Sequence, residues 1–85
     1  MRITGKEQRE LDNQLQRLRM DAYLAGYPSS VRLVIDHVDE EIILMEETRQ
    51  GDKLEPAIGR HAWSSAAEAI DGLRALRERH GTRSG

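Results

Sequence analysis

The chain has 85 residues, a net charge of −2, 38% hydrophobic residues, two Tyr, one Trp and no Phe. That is room for one domain with a thin core of Leu, Ile, Val and Ala. The absence of Cys excludes disulfides, thiolate chemistry and Cys-based zinc sites. The opening MRITGKEQRE has no apolar signal-like core, and no apolar run nears the roughly 20 residues of a membrane span, so a cytoplasmic location is the default expectation.

A helix is expected over Gly5–Ala25. Thr4 and Glu7 have the spacing of a capping box, in which each side chain satisfies the other's free backbone N–H. Leu11, Leu15, Leu18, Ala22 and Ala25 recur at spacings of four and three, with Met20 and Leu24 widening the stripe. Gly26 and Pro28 stop the helix. The β-branched run through Val31, Leu33, Val34, Ile35 and Val38 then predicts a strand, and Asp39-Glu40 a tight turn without the Gly that such turns favour.

EIILMEETR predicts a second strand, with Ile43 and Met45 on one face and Ile42 and Leu44 on the other. QGD at 50–52 predicts a turn, and a third strand is expected over Lys53–Trp63, weakened by Pro56 and Gly59. The last helix carries Ala66, Ala69, Ile70, Leu73 and Leu76 on one face. Ser65 with Glu68 forms its start and Gly81 its end. The expected domain is 1–85, ordered over about 4–81, with 82–85 a frayed tail.

The fold class is therefore α+β. The order α-β-β-β-α implies a three-stranded antiparallel sheet with two helices packed on one face. Both faces of strand two are apolar, which leads to the expectation that one of them is left for a partner. A homodimer is one way to cover it, since so small a core gains from extra burial.

Charge is segregated. Residues 36–55 hold eight acidic and two basic groups, a net −6, while the remainder is net positive. Three functions compete for this acidity. It can be a solvated surface that also protects sheet edges. It can be a metal site from Asp36, His37, Asp39 and Glu40, but no calcium-loop spacing is present and no metal or cofactor is expected. Or it can dock on a basic partner, because complementary fields speed and select encounters.

Catalytic patterns are missing. The three His share no i, i+4 spacing, no Gly-x-Ser-x-Gly elbow occurs, and the Gly residues form no phosphate loop. Ser64 and Ser65 already serve the helix start. The expectation is a small non-enzymatic protein–protein interaction module, a regulatory or inhibitory accessory protein. It would dock through Asp39, Glu40, Glu41, Ile42, Leu44 and Glu46, with Trp63 as an anchor.

The α-β-β-β-α order resembles that of double-stranded-RNA-binding domains over most of the chain. That resemblance implies shape recognition of an A-form duplex through its minor grooves and the phosphates between them. The family's phosphate contacts come from a lysine-rich start of the last helix; here it reads SSAAEA. Its Gly-Pro-x-His hairpin turn is replaced by HVDEEI. The alternative function is thus nucleic-acid binding through helix arginines, Arg9 and Arg17 on the first helix and Arg74 and Arg77 on the second.

Overall fold

The computed structural model of the protein describes residues 2–26, 29–48 and 58–80. In chain order they form helix α1 (Gly5–Leu24), strands β1 (Ser29–Asp36), β2 (Glu41–Thr48) and β3 (His61–Trp63), and helix α2 (Ala66–His80). The strands make one antiparallel sheet in the order β1-β2-β3, with both helices on the same face. The expected turn at 50–52, the first half of the expected third strand, the Gly81 cap and the tail lie outside the described residues. Of the third strand, only His61–Trp63 is paired; Ile58–Arg60 is not strand.

α1 begins as its cap predicts. The Glu7 N–H donates to Thr4 Oγ1 at 3.1 Å, and the Thr4 N–H donates to Glu7 Oε1 at 3.0 Å. It ends where Gly26 takes φ 82°, a left-handed turn open to a residue without Cβ. The buried stripe is Leu11, Leu15, Leu18 and Ala22, joined by Gln14. Met20 and Leu24 do not widen it: they are 56% and 61% exposed, and Ala25 is exposed too. The reason is rotation. At about 100° per residue, Met20 and Leu24 lie on the side of α1 away from Leu18, while Gln14 and Asp21 turn toward α2.

β1 and β2 pair from Ser29↔Thr48 to Asp36↔Glu41. β1 stops at Asp36, two residues earlier than its β-branched pattern suggests. Asp36 Oδ1 accepts the N–H groups of Val38 (2.9 Å) and Asp39 (3.1 Å), which draws the chain into a four-residue turn. Pairing sends Val31, Leu33 and Ile35 to the helix side with Ile42, Leu44, Glu46, His61 and Trp63. Arg32, Val34, Ile43, Met45 and Ala62 go to the open face.

The core joins Leu11, Leu15, Leu18 and Ala22 of α1 with Ala66, Ala69, Leu73 and Leu76 of α2, over Val31, Ile42 and Leu44. Strand two is not left bare. Ile42 and Leu44 are 0% exposed under the helices, and Ile43 on the other face is only 8% exposed. The expected surplus of apolar surface on β2 is absent, since one copy of the chain already covers these three residues.

Candidate functional site

The β1–β2 turn gathers the acidity of the middle segment. Asp36, Asp39 and Glu41 each bring one carboxylate oxygen to within 4.8 Å of the others. In the same turn Val38 is 91% exposed, the most open of the large apolar side chains among the described residues. Glu40 completes the turn in the left-handed region, at φ 54°. Like charges this close repel, and the turn holds them because Asp36 is fixed by its two backbone donors. What such a tip offers chemically is an exposed apolar side chain in the same turn as a negative cluster, open to a cationic surface.

The other residues expected at a docking surface divide between tip and core. Asp39, Glu40 and Glu41 are at the tip. Ile42 and Leu44 are sealed beneath the helices, where no partner reaches them. Glu46 sits at the far end of β2 on the helix side. Its Oε1 accepts the N–H groups of Ile58 (2.6 Å) and Gly59 (2.8 Å), so it fastens the returning chain and seats buried Ile58. Two successive N–H groups converging on one oxygen form a backbone nest, helped here by Gly59 at φ 81°.

Trp63 lies on β3 against α2. Its ring is parallel to that of His61, with centroids 6.0 Å apart and planes 8° apart. His61 Nε2 lies 2.8 Å from the Ile58 carbonyl oxygen. Beside them runs a shallow groove of about 240 Å³ lined by His61, Trp63, Gly72, Ala75, Leu76 and Arg79. That is below the roughly 300–1,000 Å³ of sites that enclose small molecules. Ser65 and Glu68 are occupied with the start of α2: the Glu68 N–H donates to Ser65 Oγ at 3.2 Å, and the Ser64 N–H to Glu68 Oε2 at 3.1 Å.

Two of the arginines singled out for nucleic acid tie the helices together. Arg74 Nη2 donates to Glu10 Oε1 at 3.1 Å. Arg77 reaches Asp21 through Nε at 3.2 Å and Gln14 through Nη1 at 3.2 Å. Gln14 in turn donates to Glu10 Oε1 at 3.0 Å. The hydrogen bond from Gln14, then that from Arg74 and the charges of Arg74 and Arg17, hold the Glu10 carboxyl below its usual 4.5 despite some opposing desolvation. Arg9 and Arg17 stay exposed on α1.

In comparisons with known proteins, no family model, curated protein or solved structure matches this chain. The chain forms a small two-layer α+β unit whose most distinctive surface among the described residues is the acidic turn. No helix of the described residues is long and apolar enough to cross a membrane.

Proposed function

We propose that the chain is a non-enzymatic protein-binding module that docks its β1–β2 tip on a basic surface of another protein. The observation that carries this reading is Val38, 91% exposed in the same turn as the carboxylates of Asp36, Asp39 and Glu41, which lie within 4.8 Å of one another. A bare aliphatic side chain can be desolvated on contact, while the carboxylates steer the approach and reject acidic partners. An accessory or inhibitory role follows if that basic surface is itself a working site of the partner. Sealed Ile42 and Leu44 take no part, and Glu46 and Trp63 act within the fold.

The test is affinity capture with the wild-type chain and with a tip variant, Val38→Ser combined with Glu41→Gln. A captured protein is then purified and titrated against both. The expected partner is basic, its affinity falls as salt rises, and the tip variant weakens it about tenfold or more, about 1.4 kcal/mol. A partner that binds the tip variant as well as the wild type overturns the reading. Gel shifts with duplex RNA and duplex DNA at low salt run beside it. A salt-sensitive shift kept by the tip variant and lost on Arg9→Ala with Arg17→Ala would move the function to nucleic acid.

A further inference from the structure

β1 is an edge strand. It pairs with β2 on one side, and among the described residues nothing pairs with it on the other. Alternate residues of such a strand turn their N–H and C=O groups outward, a template for one more strand. Edges are commonly blunted by brevity, proline or a bulge. β1 has none of these three: it is eight residues long, contains no proline, and matches β2 residue for residue from Ser29 to Asp36; what guards it is charge at Arg32 and Asp36 and the Arg19 side chain on the Val31 carbonyl. Leu33, Val34 and Ile35 are only half-buried, although the residues opposite them on β2 are all buried.

We propose that β1 pairs antiparallel with β1 of a second copy across a two-fold axis at Val34, joining two three-stranded sheets into one of six strands. The occupant is read from the strand itself. A two-fold at Val34 sets Arg32 opposite Asp36 of the second copy and, by symmetry, Asp36 opposite its Arg32. Leu33 meets Ile35 of the second copy on the helix side, and Val34 meets its own counterpart on the open face.

The neighbouring two-fold centres lack this match. A centre at Arg32 stacks two guanidinium groups. One at Leu33 sets Arg32 against Val34, and one at Ile35 sets Val34 against Asp36. Opposite charges directly across a strand pair stabilise it and like charges destabilise it, so the charges select the register.

Existing contacts are compatible with this pairing. Arg32 Nε holds Glu47 Oε1 at 2.8 Å, and a guanidinium has five N–H donors, which leaves donors for a second carboxylate. The Val31 carbonyl, which accepts from Arg19 Nε at 2.8 Å, lies just outside the Arg32–Asp36 pairing. The two acidic tips project from opposite ends of the joined sheet. Asp36 belongs to both surfaces, but Val34 and Arg32 lie outside the tip and Val38 and Glu41 outside the pairing, so Val34→Cys and Arg32→Glu test the dimer separately from tip docking.

The chain has no Cys, so single-cysteine variants report cleanly. Directly opposed residues in an antiparallel pair have Cα atoms roughly 4.5–5.5 Å apart, within the range a disulfide bridges. Val34→Cys is expected to cross-link to a dimer under mild oxidation. Ala62→Cys, on the same sheet face but on β3, is expected not to. Sedimentation is expected to give about twice the 9.7 kDa chain mass.

Arg32→Glu and Asp36→Arg should each raise the dimer dissociation constant about tenfold or more, because each sets like charges across the axis. Mixed together, the two variants present opposite charges at both positions and should pair with each other. A monomer at all concentrations with Val34→Cys no more reactive than Ala62→Cys overturns the proposal. So does a dimer indifferent to both charge changes. If Asp36→Arg fails to fold for want of its turn hydrogen bonds, Val34→Cys and Arg32→Glu still decide the matter.

Discussion

Gly72 of α2 lies so close to the indole of Trp63 that a Cβ added to it would overlap Nε1, Cε2 and Cζ2 of the ring. This contact lets α2 settle on the short strand β3, and it makes a prediction of unusual sign. Gly72→Ala in mid-helix ordinarily stabilises by about 1 kcal/mol. Here the rigid ring must shift, and overpacking costs about 1–3 kcal/mol. The expected net result is a lower urea midpoint. Combined with Trp63→Leu, which removes the obstruction, Gly72→Ala should regain its helix-favouring effect. If the single change raises stability on its own, α2 does not sit on the indole as described.

Glu46 ties two distant parts of the chain. Its carboxylate takes the N–H groups of Ile58 and Gly59, and Ile58 is a core residue. Hydrogen bonds to a charged group contribute about 1.5–3 kcal/mol each, with non-additive sums. Glu46→Ala is expected to cost about 2–3 kcal/mol and to speed hydrogen exchange at the Ile58 and Gly59 amides. Glu46→Gln keeps an acceptor oxygen without the charge and should cost less. Equal loss in both variants would mean that the charge, not the acceptor geometry, holds the segment.

The helix–helix contact carries a pH dependence with a fixed sign. Glu10 is held below its usual 4.5 by Gln14 first, then by Arg74 and Arg17. A depressed carboxyl contributes stability that is complete above the unfolded value and fades as pH falls through the folded one. Melting temperatures of the wild type and of Glu10→Gln should therefore differ by a constant amount above about pH 5. The gap should close progressively below pH 4.5. A gap that widens on acidification would contradict the direction of the shift.

The sequence made the order of elements readable because its signals are local. The capping box of Thr4 with Glu7 and the capping pattern of Ser65 with Glu68, whose carboxylate takes the N–H of Ser64, mark helix starts, and the leucine spacing marks which face of α1 is covered. What stayed illegible depends on tertiary neighbours. Gln14 sits at a core position because Arg77 of α2, 63 residues away, takes its side-chain oxygen. Gly72 looks like a weak helix position until Trp63 lies beneath it. The apolar run Ile42–Leu44 reads equally well as a partner surface and as a central strand, and only the sheet order with its helix cover decides for the latter. At the tip, composition located the acids, but the exposure of Val38 follows from Asp36 ending β1 early.

The turn that displays Val38 is itself improvable, because Glu40 occupies φ 54° without being glycine. A left-handed conformation costs a residue with Cβ about 1 kcal/mol. Glu40→Gly removes that cost but adds about 0.5 kcal/mol of unfolded-chain entropy. Glu40→Asn tolerates the conformation without the full entropic term. Each is expected to stabilise by about 0.5 kcal/mol, with Asn at least equal to Gly, whereas β-branched Glu40→Val should destabilise by about 1–2 kcal/mol. Urea midpoints give the order directly. A ranking with Val above Gly would show that the turn does not place residue 40 in the left-handed region.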